Sequence, residues 1–303
     1  MSLRSYLRSV HPLWKAFLWF GITIFFFLIT MAVAVGLGGQ GASNLSLLRL
    51  VQALQSLLVF IIPALLATWC WSETPLRDLR LGAPSSSWIY IIAPLLMLCA
   101  VPAINMLADW NSRVELPSFL ADLEIKLKQQ EEAAAAVTEM FLQADTIWAL
   151  MGNICLMALL PALSEELCFR GVLINLCLNG GEAEYKASKR RAHLAIWATA
   201  ALFSFIHFQF YGFVPRMLLG ALFGYMVLWS GSIWTSVLAH FTNNTVAVVT
   251  YYICAHSELD IDTVDSFGAG STMWVGCLSV VVAASIALWL RNVCQRQSSE
   301  PLL

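Results

Sequence analysis

Long runs of apolar residues dominate this chain, and their length constrains the fold more than any other feature of the sequence. About eight runs stand out, each close to the ~20 residues with which an α-helix crosses a hydrocarbon core. They cover residues 16–37, 47–71, 87–108, 146–177, 193–210, 214–230, 232–253 and 271–290. Charged residues make up only 12% of the chain, about half the share of a typical soluble domain. The sequence therefore predicts an all-α, polytopic bundle of about eight transmembrane helices and excludes a soluble globular protein.

Lysine and arginine collect on one side of this predicted bundle. With eight spans, both termini share that side, which receives Arg4, Arg8, Lys15, Arg77, Arg80, Lys186, Lys189, Arg190, Arg191, Arg291 and Arg296. The other side receives only Arg49, Arg113, Lys126, Lys128 and Arg216. Because cytoplasmic loops are enriched in Lys and Arg, we expect cytoplasmic N- and C-termini. The plasma (inner) membrane is the expected location.

The whole chain, residues 1–303, is interpreted as a single membrane domain. No small-residue cleavage site follows the first apolar run, so we expect that run to be retained. The segment 109–145 is predicted to be extracytoplasmic and to hold an amphipathic helix that starts near Pro117. That helix either lies on the membrane or caps the bundle; a solvated linker helix is the alternative. The eight cysteines form no CxxC pair and are expected to be free thiols.

The fourth apolar run carries Glu165, Glu166 and Arg170 within two helical turns. Each charge would cost about 2.5–3.5 kcal/mol if it faced lipid at mid-membrane, so the three must face protein or water. Glu166 and Arg170 have the i, i+4 spacing and order that favour an ion pair. Glu165 is rotated by about 100° from Glu166 and is left free for another role. An ion pair that only holds helices together is the simpler explanation of Glu166 and Arg170.

Two further apolar runs carry polar side chains: His207 in the fifth, and His240 with Asn244 in the seventh. The i, i+4 spacing of His240 and Asn244 places an imidazole and a carboxamide on one helical face. Each alone is readily explained as an interhelical hydrogen bond. Such bonds contribute only about 0.6 kcal/mol each on average, so the whole set is more than cohesion requires. We expect the fourth, fifth and seventh helices to converge on one polar pocket.

These residues form three motifs: EExxxR (Glu165, Glu166, Arg170), FxxxH (Phe203, His207) and HxxxN (His240, Asn244). In this order they resemble the CAAX-processing and bacteriocin-processing (ABI or CPBP) intramembrane proteases, which include the type II CAAX prenyl endopeptidases. Residues 60–66 and 79–82 are similar to the N-terminal part of that family. The resemblance implies that the catalytic helices lie within 146–253.

The expected activity is that of an intramembrane endopeptidase acting on a membrane-associated protein or peptide. Glu165 is the expected base and His207 its helper in activating water, while His240 and Asn244 stabilise the oxyanion. Glu166 and Arg170 are expected to support Glu165. We expect no firm cofactor; Zn²⁺ on Glu165, His207 and His240 is the alternative, although HExxH is absent.

Two other functions fit the same residues. A non-catalytic immunity or scaffold protein of the same family is one, and a proton-coupled transporter is the other. The expected partners are the lipid bilayer and the membrane-associated substrate; no nucleic acid is expected.

Overall fold

The structure, a computed structural model, describes residues 3–37, 45–179 and 188–297. In these ranges the chain forms helices, turns and bends without a β-strand, so the all-α prediction is confirmed. Each of the eight apolar runs lies in or overlaps a helix. Residues 38–44, in the first predicted loop, and Lys186, in the predicted basic loop, lie outside the described ranges.

Ten helices of the described chain are labelled in order, and its remaining helical segments are turns of three to five residues. Their bounds are α1 Leu3–Ser9, α2 Pro12–Gly36, α3 Leu45–Trp71, α4 Ile89–Ser112, α5 Ala121–Leu142, α6 Ile147–Leu178, α7 Lys189–Phe205, α8 Phe213–Ser230, α9 Trp234–Ala255 and α10 Met273–Gln297.

Six helical segments of the described chain are long and apolar enough to cross a membrane: Pro12–Gly36, Leu45–Trp71, Ile89–Ser112, Ile147–Leu178, Phe210–Ser230 and Ile261–Arg296. The fifth and seventh predicted spans, helices α7 and α9, are not among these six. Helix α7 has 17 residues, and helix α9 carries His240 and two asparagines. The count of eight spans and the orientation of the chain therefore stay predictions.

Two of the spanning helices contain a widened, π-helical turn just before a proline. In α3 this turn covers Gln55–Ile61 and Pro63 follows; in α6 it covers Ile154–Leu159 and Pro161 follows. Proline lacks an N–H and its ring clashes with the carbonyl four residues earlier. A π turn relieves that clash without ending the helix. Both helices thus stay continuous past their prolines.

The short segment that follows α3 holds the beginning of α9 in place. The carbonyl oxygen of Arg80 accepts from Ile233 N at 2.9 Å, and that of Leu81 accepts from Trp234 Nε1 at 3.0 Å. The carbonyl oxygen of Gly82 accepts from Ser232 Oγ at 2.6 Å. Because α9 carries His240, these contacts fix the level of that histidine within the bundle.

Helix α5 lies across one end of the bundle. Its Glu131 accepts a hydrogen bond from Tyr211 N at 3.3 Å, and Lys128 lies 5.9 Å from the centre of the Tyr211 ring. Two apolar side chains of this segment, Phe119 and Leu123, are exposed. Phe141 is buried, and Leu120 and Leu127 are half-buried, so both polar and apolar residues of the segment contact the protein. The choice between a capping helix, a helix on the membrane and a solvated linker stays a prediction.

A serine hydroxyl joins α4 and α10. Pro102 lies inside α4, and Ser279 of α10 contacts the α4 backbone on either side of it. The Ser279 hydroxyl accepts from Ala103 N at 3.1 Å and donates to Cys99 O at 2.6 Å. Ser279 is buried, so its hydroxyl links the two helices inside the bundle.

We expect Ser279→Ala to destabilise the protein by about 1–3 kcal/mol, because it removes two hydrogen bonds between helices, each of which contributes about 0.5–1.5 kcal/mol. The measurement is the thermal unfolding midpoint of the purified protein in detergent. Ser285→Ala is the matched control, since Ser285 is exposed and bonds only to Val281 O of its own helix. Equal midpoints for the two variants would contradict the role of Ser279.

Candidate active site

The EExxxR motif lies in the middle of α6, and its three charged side chains take different directions. Arg170 Nη1 lies 2.7 Å from Glu166 Oε1, as the i, i+4 spacing predicts. Glu166 is 0% and Arg170 1% exposed. A buried ion pair is stable only when the remaining donors and acceptors also find partners. Neighbouring helices supply further partners for both residues, although Glu166 Oε2 has no hydrogen-bond partner among the described residues.

Helix α8 supplies the second partner of Arg170. Arg170 Nη2 donates to the carbonyl oxygen of Gly220 at 2.9 Å. A Cβ at Gly220 would lie 3.3 Å from Arg170 Nη2 and equally close to Ala200 and Phe203. A side chain at this position would have to displace these neighbours by a few tenths of an ångström, so glycine favours the close approach of the guanidinium to the α8 backbone.

Helix α9 supplies the second partner of Glu166. His240 Nδ1 lies 3.0 Å from Glu166 Oε1. The rotation of about 100° between adjacent helical residues gives the two carboxylates different directions, so Glu166 contacts Arg170 and His240. The expected support of Glu165 by Glu166 stays a prediction. Glu166 fixes the ring of His240, and the Nε2 atom of that ring lies 3.8 Å from Glu165 Oε2.

His207 lies beyond the end of α7, which was expected to continue to residue 210. The helix ends at Phe205, and Phe208 has a positive φ of 53° in the turn that follows. His207 Nδ1 lies 2.7 Å from Phe203 O, so the imidazole caps the last turn of the helix. Since the carbonyl oxygen accepts, Nδ1 carries the hydrogen and Nε2 is left for other contacts.

Phe203, the first residue of the FxxxH motif, packs among three functional side chains. Its ring centre lies 5.0 Å from that of His207 and 6.0 Å from that of His240, both edge-on. The guanidinium carbon of Arg170 lies 4.8 Å from the same ring centre. A cation over an aromatic face is attracted by the ring quadrupole. Phe203 therefore stabilises the buried Arg170 and separates the two imidazoles.

Asn244 lies one turn beyond His240 on α9. Its Oδ1 accepts from Asn243 Nδ2 at 3.2 Å, which occupies its acceptor and leaves its NH₂ group as a donor. Sequence reasoning assigned no role to Asn243, which was expected to point elsewhere. Its contact with Asn244 sets the orientation of the second amide.

A cavity of about 300 Å³ adjoins these groups. Its lining consists of Gln52, Gln55, Ser56, Phe60, Glu165, Ile206 and His207. Two of the four expected catalytic side chains, Glu165 and His207, share this cavity. His240 does not line the cavity, although its Nε2 lies 3.8 Å from Glu165 Oε2. Asn244 is also not part of the lining. The three polar residues of α3 were missed, because polar positions in an apolar helix do not reveal which neighbour they face.

The zinc alternative does not fit this arrangement. Among the described residues, no three His, Cys, Asp or Glu side chains are gathered so that they could hold a metal ion. We therefore assign no step to a metal.

The comparison with known families bears on this segment directly. Residues 147–246 match the family model described as "Type II CAAX prenyl endopeptidase Rce1-like". This segment is therefore similar to the CAAX-protease family. No curated protein and no solved structure matches the chain.

The CAAX-protease match covers α6 to the middle of α9, and therefore all three motifs. The resemblance drawn from those motifs is confirmed. Since the matched family is one of proteases, the match supports the expected protease function at the level of the family. The matched segment ends two residues after Asn244 and leaves out α3, which forms the opposite wall of the cavity.

We expect Arg170→Met to destabilise the protein by about 3–5 kcal/mol, because it leaves the buried Glu166 charge without its partner. The double variant Glu166→Gln/Arg170→Met should recover most of that loss, since no unpaired charge remains. The thermal unfolding midpoint and the yield of folded protein in detergent measure both effects. A double variant no more stable than Arg170→Met would show that the pair does not act as a unit.

Proposed function

We propose that this chain is an intramembrane endopeptidase that hydrolyses a peptide bond of a membrane-associated protein or peptide. The observation that carries the proposal is the position of Glu165. Its carboxylate lines the same cavity as His207 and has His240 Nε2 at 3.8 Å. A carboxylate beside imidazole groups in a water-sized cavity is the arrangement that general-base activation of water requires.

In this proposal, Glu165 and His207 activate the nucleophile. A water held between the Glu165 carboxylate and His207 Nε2 attacks the carbonyl carbon of the scissile bond, and its proton passes to Glu165. When the C–N bond breaks, Glu165 returns a proton to the leaving nitrogen. The products are a new carboxylic acid and a new amine, so the base is restored after each turnover.

His240 and Asn244 are proposed to stabilise the oxyanion. The attack places a negative charge on the former carbonyl oxygen, and preorganised donors lower the barrier most. The NH₂ group of Asn244 is available because Asn243 occupies its other end. His240 is held by Glu166 through Nδ1, so its Nε2 has a fixed direction. In this role His240 is an imidazolium, since Nε2 must also carry a hydrogen to donate to the oxyanion. Glu166 and Arg170 act here as positioning residues.

A second cavity supports a lipid-associated substrate. It measures about 320 Å³ and is lined mainly by apolar side chains of α2, α3, α6 and α7, among them Trp19, Phe169 and Leu202. It shares Gln55, Phe60 and Ile206 with the cavity of Glu165. An apolar chain could therefore rest beside the peptide bond that is cut. A prenylated peptide of the CAAX type, which the family description names, is one substrate class of this kind.

The remaining expectations form part of the same proposal. The chain acts as a single membrane domain in the plasma (inner) membrane, with both termini in the cytoplasm. Segment 109–145 and the turn that holds His207 then lie toward the opposite face of the membrane.

We expect Glu165→Gln to abolish proteolysis, because the amide cannot take the proton from water. The measurement compares the membrane proteomes of cells that produce the wild type and the variant, and the expected result is a fragment that disappears. Glu132→Gln is the control, since Glu132 is an exposed carboxylate on α5. If cells that produce the variant keep every fragment and the phenotype of cells that produce the wild type, the result would favour the non-catalytic scaffold. Uptake into proteoliposomes that depends on a pH gradient would favour the transporter.

We expect cleavage by the purified protein to persist after treatment with a zinc chelator, because the proposed steps use only side chains. The substrate for this assay is the protein whose fragment the proteome comparison identifies. Loss of cleavage on chelation, with recovery on adding Zn²⁺, would overturn the metal-independent scheme.

A further inference from the structure

Helix α3 carries three polar side chains that the motifs do not include. Gln52, Gln55 and Ser56 are spaced i, i+3 and i+4, so they share one face of the helix. That face lines the cavity opposite Glu165 and His207. Polar groups in a membrane span are costly unless they find a hydrogen-bond partner. Across residues 3–37, 45–179 and 188–297, no other side chain or backbone group of the protein bonds to these three side chains.

The π turn of α3 begins at Gln55. Widened turns of this kind are frequent at functional sites, because they expose backbone and side-chain groups that a regular helix would pack away. Here the turn places Gln55 at the border of two spaces. Gln55 lines the polar cavity of Glu165 and also the apolar cavity beside α2. A chain that reaches Glu165 from the apolar side must pass this residue.

The chemistry of the three side chains identifies what they would bind. A carboxamide offers a donor and an acceptor side by side, which matches the C=O and N–H groups of a peptide backbone. An extended peptide presents these groups unpaired, and recognition of extended peptides uses main-chain hydrogen bonds for affinity. With no charge on this wall of the cavity, it is suited to a neutral backbone and not to an ionised side chain.

Resting on the proposed function, we propose that Gln52, Gln55 and Ser56 form a substrate-backbone subsite that holds an extended peptide against Glu165. Gln55 is its central contact. The motif residues then supply the chemistry, and α3 supplies the binding of the chain beside the scissile bond. Apolar cargo attached to the substrate would lie in the adjoining cavity.

The test measures binding separately from cleavage. The probe is a fluorescein-labelled, farnesylated peptide with a CAAX C-terminus, together with an analogue N-methylated at the amides that flank the scissile bond. Affinities are measured in detergent for Glu165→Gln and for Glu165→Gln/Gln55→Leu, so that no probe is consumed. We expect the double variant to bind the unmodified peptide about ten-fold more weakly, as loss of two neutral hydrogen bonds predicts.

The methylated analogue distinguishes direct contact from a structural effect. The protein with Gln55 should bind the methylated analogue about ten-fold more weakly than the parent peptide. The protein with leucine at this position should bind the two peptides with equal affinity. Gln55→Glu, which keeps an acceptor and loses the donor, should lie between the two. The control is Thr30→Val on α2, because Thr30 is buried and bonds only to Phe26 O of its own helix; it should bind like its parent.

The subsite would be overturned if replacing Gln55 by leucine left the affinity for each of the two peptides unchanged. Equal loss of both peptides in the leucine variant would also overturn it, as would a similar loss in Thr30→Val. A wild type that binds the peptide through Gln55 but cuts no substrate would leave the subsite standing and overturn the protease. The two proposals therefore fail in different ways.

Discussion

One buried ion pair, Glu166 with Arg170, organises the central part of this bundle. Removing two charges from water is costly, and their attraction offsets that cost only when the surrounding groups complete the hydrogen bonding. Here Arg170 donates to the carbonyl oxygen of Gly220 on α8, and Glu166 Oε1 contacts His240 on α9. The second oxygen, Glu166 Oε2, is buried without a partner among the described residues, so the network offsets only part of that cost. Three helices are thus held in register by one network. The direction of His240 and the space beside Glu165 both depend on it.

The sequence predicted the features of this site that depend on local spacing. Helix positions followed from the length of apolar runs, and the Glu166–Arg170 contact followed from i, i+4 geometry. The separate direction of Glu165 followed from the helical rotation between neighbours. These features do not depend on the tertiary packing, so the amino-acid sequence alone was enough to predict them.

The features that the sequence missed all depend on packing between helices. The second partner of Glu166 was not predicted because that neighbour, His240, lies on α9. The end of α7 was placed too late because Ile206, Phe208 and Phe210 continue the apolar pattern past the helical turn. The polar side of α3 was missed because its two glutamines can be seen to face Glu165 only when the position of α6 is known. Long-range contacts of this kind leave no trace in a single sequence.

The widened turns of α3 and α6 have a consequence for comparing this chain with its relatives. Each such turn accommodates one residue more than a regular helix would, which rotates everything beyond it by about 100° around the axis. A helical wheel drawn through Ile147 to Arg170 without that phase change would turn Glu165 toward the wrong neighbour. Relatives that lack Pro161 and keep a regular helix would need a compensating insertion or deletion to present the same carboxylate. Gaps inside a membrane helix, normally treated as alignment errors, would in this segment carry structural meaning.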